Sequence, residues 1–491
     1  MKVIKFLRQV VTREPLSAPG PRVFSIANFR KYLWYCRLYG VRNASRLAIQ
    51  RLRKPKDAPG IILRPLLLSD LNNPFFEVNV PLIDKKVSVV IPTKNAGQDI
   101  RALLKKLKSQ KGLRECEIII VDSGSKDDTL DVAREEGAKL VEISPASFDH
   151  AYARNKGAEH ATGGYILFMV QDALPLTDRW LWELTTTVEN NDIVAVSCAE
   201  YPRSDCDLFY RSIIWNHYRE LNLDKDRILA WDETCWSHIG LRSNSQISDI
   251  ATLIKRDTFN RYKFRTKYAE DVDLGIRLIK DGHKIGFLHS TRVLHSHNRT
   301  AYYFLKRAYV DSRFLVEVFP DYVFPAVQDQ ERVFRDIVSL YFRTNYVAET
   351  IANLKDSETI GSLVGRIRTM YTAEKGELKM RDGLTTEDDL GGFVQSLIPR
   401  TGEQSNSYTG KNNVVLAHFL RHLLLLETHL GETYAYDAID ESLTRDLAAA
   451  LYKLVALYSG MCLAHLYLTL SARGPLGKYL TAFDRKLTEG V

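Results

Sequence analysis

The middle of this sequence predicts an α/β fold built on a mainly parallel central sheet, and three observations carry that expectation. Short branched apolar runs recur, as in KVSVVIPTKN (86–95), CEIIIVDSGSKDDT (116–129), LVEIS (140–144) and YILFMVQDA (165–173). Such uninterrupted runs suit strands buried on both faces. Helical spacing fills the intervals, at 100–107 and 150–162, and strand–helix alternation implies parallel neighbours covered by helices. Finally, the runs end directly in polar side chains: Thr93, Lys94 and Asn95 after the first, Asp122, Ser123 and Ser125 after the second, Gln171 and Asp172 after the fourth. In parallel sheets ligands sit at the carboxyl ends of the strands, so three separate segments deliver polar groups to one edge.

The chain has 491 residues, 45% of them hydrophobic, enough for one large or two medium cores. Three regions are expected: a basic arm and linker over 1–84, the α/β region over 85–300, and a mostly helical region over 301–491. Six scattered cysteines with no CxxC pair argue against a zinc ribbon or a disulfide framework and fit a reducing cytoplasm. No signal peptide or uninterrupted span is expected. The most apolar stretch, 451–470, contains Lys453 and His465 and reads as a packed helix.

Charge is unevenly placed. Residues 1–57 hold fourteen Lys and Arg against two acids, a net +12, so with +8 overall the rest of the chain carries −4. Aromatic residues interleave with this charge over 29–53. Such a segment suits an anionic membrane surface, and equally a solvated helix capping the next domain. No nucleic-acid recognition motif accompanies it. The expected location is the cytoplasm, with the arm at the membrane's cytoplasmic face.

Several residues at the predicted ligand edge carry possible chemistry. Asp122 could accept hydrogen bonds from a nucleobase or ribose, or stabilise its own turn. Arg154, on the 150–162 helix, offers a planar fork to a diphosphate or to a carboxylate, or forms a surface ion pair. Asp172 could hold Mg²⁺ or Mn²⁺ on phosphates, or make an Asx turn before Pro175. Glu270 and Asp271 start a helix closed at Gly282. Acids there are ordinary caps, and they are also where a general base is held rigidly. His295 and His297 follow a strand. Only one of them is expected to face the site: His295 is favoured, with His297 as the alternative.

In this order the segments resemble the inverting glycosyltransferase family 2 with the GT-A nucleotide-diphospho-sugar transferase fold. The resemblance covers about 86–300. It implies donor contacts from Pro92, Thr93, Asn95, Asp122, Ser125, Arg154 and Gln171, a divalent Mn²⁺ or Mg²⁺ on Asp172 and a histidine, and Asp271 as catalytic base beside Glu270 and Arg154. One departure stands out. The usual Asp-x-Asp metal motif is here Gln171-Asp172-Ala173, with a single carboxylate.

FDHAYARNKGA together with QDALP is similar to rhamnosyltransferase-like members, which implies a dTDP-L-rhamnose donor and a bacterial surface polysaccharide or lipid-linked glycan acceptor. In such members the stretch 236–246 shapes the acceptor site, so Trp236 is expected to stack on a sugar, and Arg242 and Asn244 to bind hydroxyls or phosphate. Two alternatives stand beside this reading: an inactive nucleotide-sugar-binding scaffold, and a membrane-peripheral assembly protein dominated by the basic arm.

Overall fold

The computed structural model describes Val41, Ser45 and residues 81–319, 330–353, 360–372, 414–433, 441–471 and 478–489. The rest of the basic arm and of the linker through residue 80 lies outside the described residues.

The chain opens with β1 (Ile83–Thr93), α1 (Gly97–Lys108), β2 (Leu113–Asp122), α2 (Thr129–Glu135), β3 (Lys139–Glu142), α3 (His150–Glu159) and β4 (Tyr165–Met169). It continues through a two-residue β5 (Leu174–Pro175), α4 (Trp180–Asn190), β6 (Ala195–Tyr201), α5 (Leu208–Glu220), β7 (Arg227–Leu229) and α6 (His238–Asn244). Then come β8 (Ala251–Lys255), α7 (Arg256–Tyr262), α8 (Glu270–Lys280) and β9 (Ile285–Leu294). The remaining described helices are α9 (Ala301–Val318), α10 (Gln330–Ala352), α11 (Ile360–Thr372), α12 (Val414–Thr433), α13 (Glu441–Ser471) and α14 (Lys478–Thr488).

The described residues fall into two compact units. One holds 81–206 and 214–297, the other 207–213 and 298–489. The first is an α/β unit on a nine-stranded sheet ordered β3-β2-β1-β4-β8-β6-β9-β5, with β7 on β9. The expected parallel arrangement holds from β3 to β4. Beyond it the sheet is mixed: β8 runs antiparallel to both β4 and β6, while β6 and β9 are parallel.

The apolar runs explain the strands. Val87, Val89, Val90 and Ile91 of β1, and Ile119, Ile120 and Val121 of β2, are completely buried. Each such side chain contributes about 1.5–3 kcal/mol relative to an exposed one. Helix α8 follows its sequence pattern closely. Leu274 and Leu278 face the core, and Gly282 closes the helix at φ +82. A Cβ at Gly275 would collide with the Ser245 carbonyl, so glycine is what lets α8 lie against that backbone.

The second unit is helical. Its core gathers Leu340, Val347, Leu363, Tyr371, Phe419, Leu426, Leu451 and Tyr458 from several helices. Helix α13 packs against α9, α10 and α12, and Gly460 brings it close enough that a Cβ would strike the Leu305 carbonyl of α9. By length and composition alone α13 could cross a membrane, yet 56% of its apolar window is buried within the protein.

Candidate active site

The first layer of the site is the pair of loops leaving β1 and β2. Asp122 is 1% exposed and both its oxygens are engaged. Thr93 Oγ1 and Ser125 Oγ donate to Oδ1 at 3.1 and 2.5 Å, and the Gly124 and Ser125 amides donate to Oδ2 at 2.9 and 2.8 Å. Asn95, at φ 48, donates its amide to Ser125 Oγ and accepts from the Lys126 amide, each at 2.8 Å. Asparagine tolerates this left-handed backbone better than most residues. Gln171 Oε1 accepts from the Lys94 amide at 2.9 Å. Pro92, Thr93, Asn95, Asp122, Ser125 and Gln171 therefore do converge on one edge. Within it, Asp122 organises the loop with its carboxylate.

The second layer follows β4. Asp172, His295 and His297 bring one ligand atom each within 4.8 Å of one another. His295 Nε2 lies 3.7 Å from Asp172 Oδ1, and His297 Nδ1 lies 3.6 Å from Asp172 Oδ2. The two histidine Nε2 atoms are 3.1 Å apart. Only one nitrogen of His297 can bind a given ion, and with metal–nitrogen bonds near 2.1 Å a cluster whose three donor atoms lie within 4.8 Å of one another is close to the size one cation needs. One carboxylate with two imidazoles suits a first-row divalent ion. Only one histidine was expected at the site. Residues two apart on an extended chain share a face, so beyond the end of β9 at Leu294 both histidines face Asp172.

Two supports of this cluster were not foreseen. Glu200 Oε2 accepts from His295 Nδ1 at 2.7 Å. Burial alone would depress the His295 imidazole, but the hydrogen bond and charge of Glu200, with the charges of Asp172 and Asp249, hold it above the ordinary histidine value. Arg203 Nη2 donates to the Asp172 carbonyl at 2.7 Å, and the Arg203 amide donates to Ser296 Oγ at 3.1 Å. The signal for Glu200 lay in AVSCAEY, an acid ending a buried strand as Asp122 and Asp172 do.

The third layer surrounds the start of α8. Arg154 was expected on a diphosphate, on a carboxylate or in a surface ion pair. It is fully buried on carboxylates, pairing through Nη1 with Glu270 Oε1 and through Nη2 with Asp249 Oδ2 at 3.2 Å. Glu270, 3% exposed, faces Arg154, and the two form a buried ion pair at the start of α8. Burial pushes the Glu270 carboxyl up, while the Arg154 guanidinium beside it pulls it down.

Asp271 accepts from the Asp249 amide at 3.2 Å and from the Val272 amide at 2.8 Å. Burial and the Asp249 charge push its carboxyl up, opposed by Arg242, the Val272 amide and Arg154. Ala269 just before the helix takes φ 48, a left-handed backbone that costs a non-glycine residue about 1 kcal/mol or more.

Sequence reasoning missed Asp249 because it looked at strand ends. Strand β8 is antiparallel to β4, so its beginning, where the Ile250 carbonyl meets the Val170 amide at 3.2 Å, lies level with the end of β4.

In the 231–246 stretch, Trp236 is 69% exposed and meets Trp231 edge-on with ring centroids 5.6 Å apart. Arg242 lies on α6 and acts on Asp271 through its charge. Asn244, expected at the acceptor, turns inward. It is 7% exposed, and its amide bonds Thr234 Oγ1 at 2.9 Å and Asp232 Oδ1 at 3.2 Å, bracing the loop that presents Trp236.

A mixed sheet carrying this Asp–His–His cluster at its ligand edge defines a metal-dependent sugar transferase of GT-A-like architecture. Residues 88–246 match the family described as Glycosyl transferase family 2. The chain is similar to the O-antigen chain rhamnosyltransferase WbaN of Salmonella anatum, with 26% identity over 222 residues, 43% of this chain and 67% of that protein. It is similar to RfbN of Salmonella typhimurium, another O-antigen chain rhamnosyltransferase, with 26% identity over 220 residues, 44% and 68% of the two chains. Among solved structures, a mannosyltransferase of Pyrobaculum calidifontis in complex with GDP-Man and Mn²⁺ matches with TM-score 0.41 and 17% identity, over 83% of this chain and 97% of that one.

Proposed function

We propose that this glycosyltransferase moves a sugar, L-rhamnose from dTDP-L-rhamnose, onto a hydroxyl of a lipid-linked or polymeric bacterial glycan, inverting the anomeric carbon. The observation that carries the chemistry is a division of labour among carboxylates. Asp172 stands with two imidazoles, while Asp271 stands apart from that cluster, held by the Asp249 amide.

Asp172, His295 and His297 would hold a divalent ion, which would supply positive charge where the nucleoside diphosphate departs. Asp271 takes the proton from the acceptor hydroxyl as it attacks. A raised carboxyl pKa makes it a stronger base at neutral pH, closer to the value at which general bases work best. No covalent intermediate is needed when the base and the leaving group lie on opposite faces of the sugar. The loops holding Thr93, Asn95 and Ser125 take the nucleotide, and Trp236 offers an exposed ring to the acceptor. The Salmonella rhamnosyltransferases among the relatives support the choice of donor and of acceptor class. The basic arm is assigned to an anionic membrane surface, which would concentrate a lipid-linked acceptor.

The test is hydrolysis and transfer across a panel of dTDP-L-rhamnose, UDP-sugars and GDP-sugars with Mn²⁺ or Mg²⁺. The account expects dTDP-L-rhamnose to respond, dependent on the metal. Turnover of a UDP- or GDP-sugar alone would overturn the donor assignment. Turnover of none, with the extended glycan acceptor present, would overturn the transferase reading.

A further inference from the structure

We propose that Glu200 is a positioning residue of the cation site, supplying through His295 the second negative charge that an Asp-x-Asp motif would supply directly. The inference rests on the reading of Asp172, His295 and His297 as the cation's ligands.

The site has a charge shortfall. Its three donors provide one carboxylate, Asp172, and two neutral imidazoles, so a divalent ion keeps a formal charge of about +1 after direct ligation. A neutral imidazole also ligates through only one nitrogen, and the wrong tautomer would point a proton at the ion.

Glu200 answers both needs. A carboxylate accepts only, so its 2.7 Å contact requires the proton on His295 Nδ1. The Nε2 lone pair is thereby aimed at Asp172 and His297. Glu200 is largely buried, with 11% of its side chain exposed, so its charge is little screened by water.

The geometry is built into the backbone. Glu200 lies opposite Val293 in the β6–β9 ladder, two residues before His295, and the His295 amide donates to the Tyr201 carbonyl at 2.9 Å. The Glu200 amide in turn donates to the Tyr218 hydroxyl at 2.9 Å. Three residues on, Arg203 grips the Asp172 carbonyl and Ser296. One short segment, 200–203, therefore sets both strands of the cation site. Carboxylates behind metal-bound histidines fix ring orientation and raise basicity, and losing them costs about 10–100-fold in metal affinity.

The test uses full-length protein and Mn²⁺ alone, with free Mn²⁺ counted by electron paramagnetic resonance in the absence of any donor. Glu200→Gln keeps the size of the side chain and removes the charge, and Glu200→Ala removes both. The account expects Mn²⁺ affinity to fall about 10–100-fold in both, with melting temperature in EDTA close to wild type for Glu200→Gln. In wild-type protein, side-chain ¹⁵N spectra should show His295 protonated at Nδ1, and Glu200→Gln should mix the tautomers. Affinity within twofold of wild type in both Glu200 variants, while Asp172→Ala abolishes binding, would overturn the role of Glu200. Binding unchanged in Asp172→Ala would overturn the underlying cation site instead. Should the variants fail to fold, an Nε2-protonated His295 in wild-type spectra would itself contradict the proposal.

Discussion

Asp122 and Asp271 are both aspartates at the ligand edge of the same unit, yet their surroundings differ sharply. Asp122, at the end of β2, accepts four hydrogen bonds from its own loop and from Thr93. Its charge is spent on holding that loop in shape. Asp271, in the first turn of α8, accepts only two amides and shares its neighbourhood with Glu270 and Asp249. Burial and like charge raise its proton affinity. Two motif aspartates thus differ in how completely their lone pairs are used within the protein.

The largest effect that would break this contrast lies beneath Asp271. Arg154→Leu should destabilise the protein by about 3–5 kcal/mol, because it leaves Glu270 buried without its partner. Urea denaturation measures it, and a loss under about 1 kcal/mol would mean that the pair is dispensable.

Next comes Asp271→Asn, expected to reduce kcat by about 100-fold or more while leaving the melting temperature at or above wild type. The wild-type rate should also rise with pH through a value above the usual aspartate range of about 4. A raised pKa keeps the base protonated, and so inactive, further up the pH scale. A pH–rate profile flat down to pH 4 would contradict that.

Asp122→Ala should act mainly on folding, costing about 1–3 kcal/mol as the Gly124 and Ser125 amides lose their acceptor. If it lowered kcat without lowering stability, the contrast would fail. The smallest effect on stability is expected at Trp236→Ala, within about 0.5 kcal/mol given its exposure. Its consequence should instead be a raised KM for the glycan acceptor.

Much of this was legible in the sequence. The runs 87–91 and 116–122 became β1 and β2 because apolar β-branched stretches have few alternatives to a buried strand. The spacing of Asp271, Leu274 and Leu278 set α8. Polar residues after strand ends located the donor loops and Asp172.

What escaped was long-range pairing. Nothing in ISDIATLIK announces that β8 runs antiparallel and so brings its first residues, Asp249 among them, to the ligand edge. Arg154 looks like a surface cation until Glu270, 116 positions away, is folded against it. Asn244 looked like a hydrogen-bonding surface side chain until the turn at Asp232 closed over it. That both histidines face Asp172 was, by contrast, legible in their spacing, because residues two apart on an extended chain share a face.

The central claim is that a metal-dependent transfer runs on Asp271. Its most direct test is the initial rate of nucleoside diphosphate release from dTDP-L-rhamnose, with Mn²⁺ and with EDTA, for wild type and Asp271→Asn. The account predicts release by wild type that EDTA abolishes and that Asp271→Asn slows about 100-fold or more. Release that persists in EDTA, or that proceeds equally in Asp271→Asn, would contradict it.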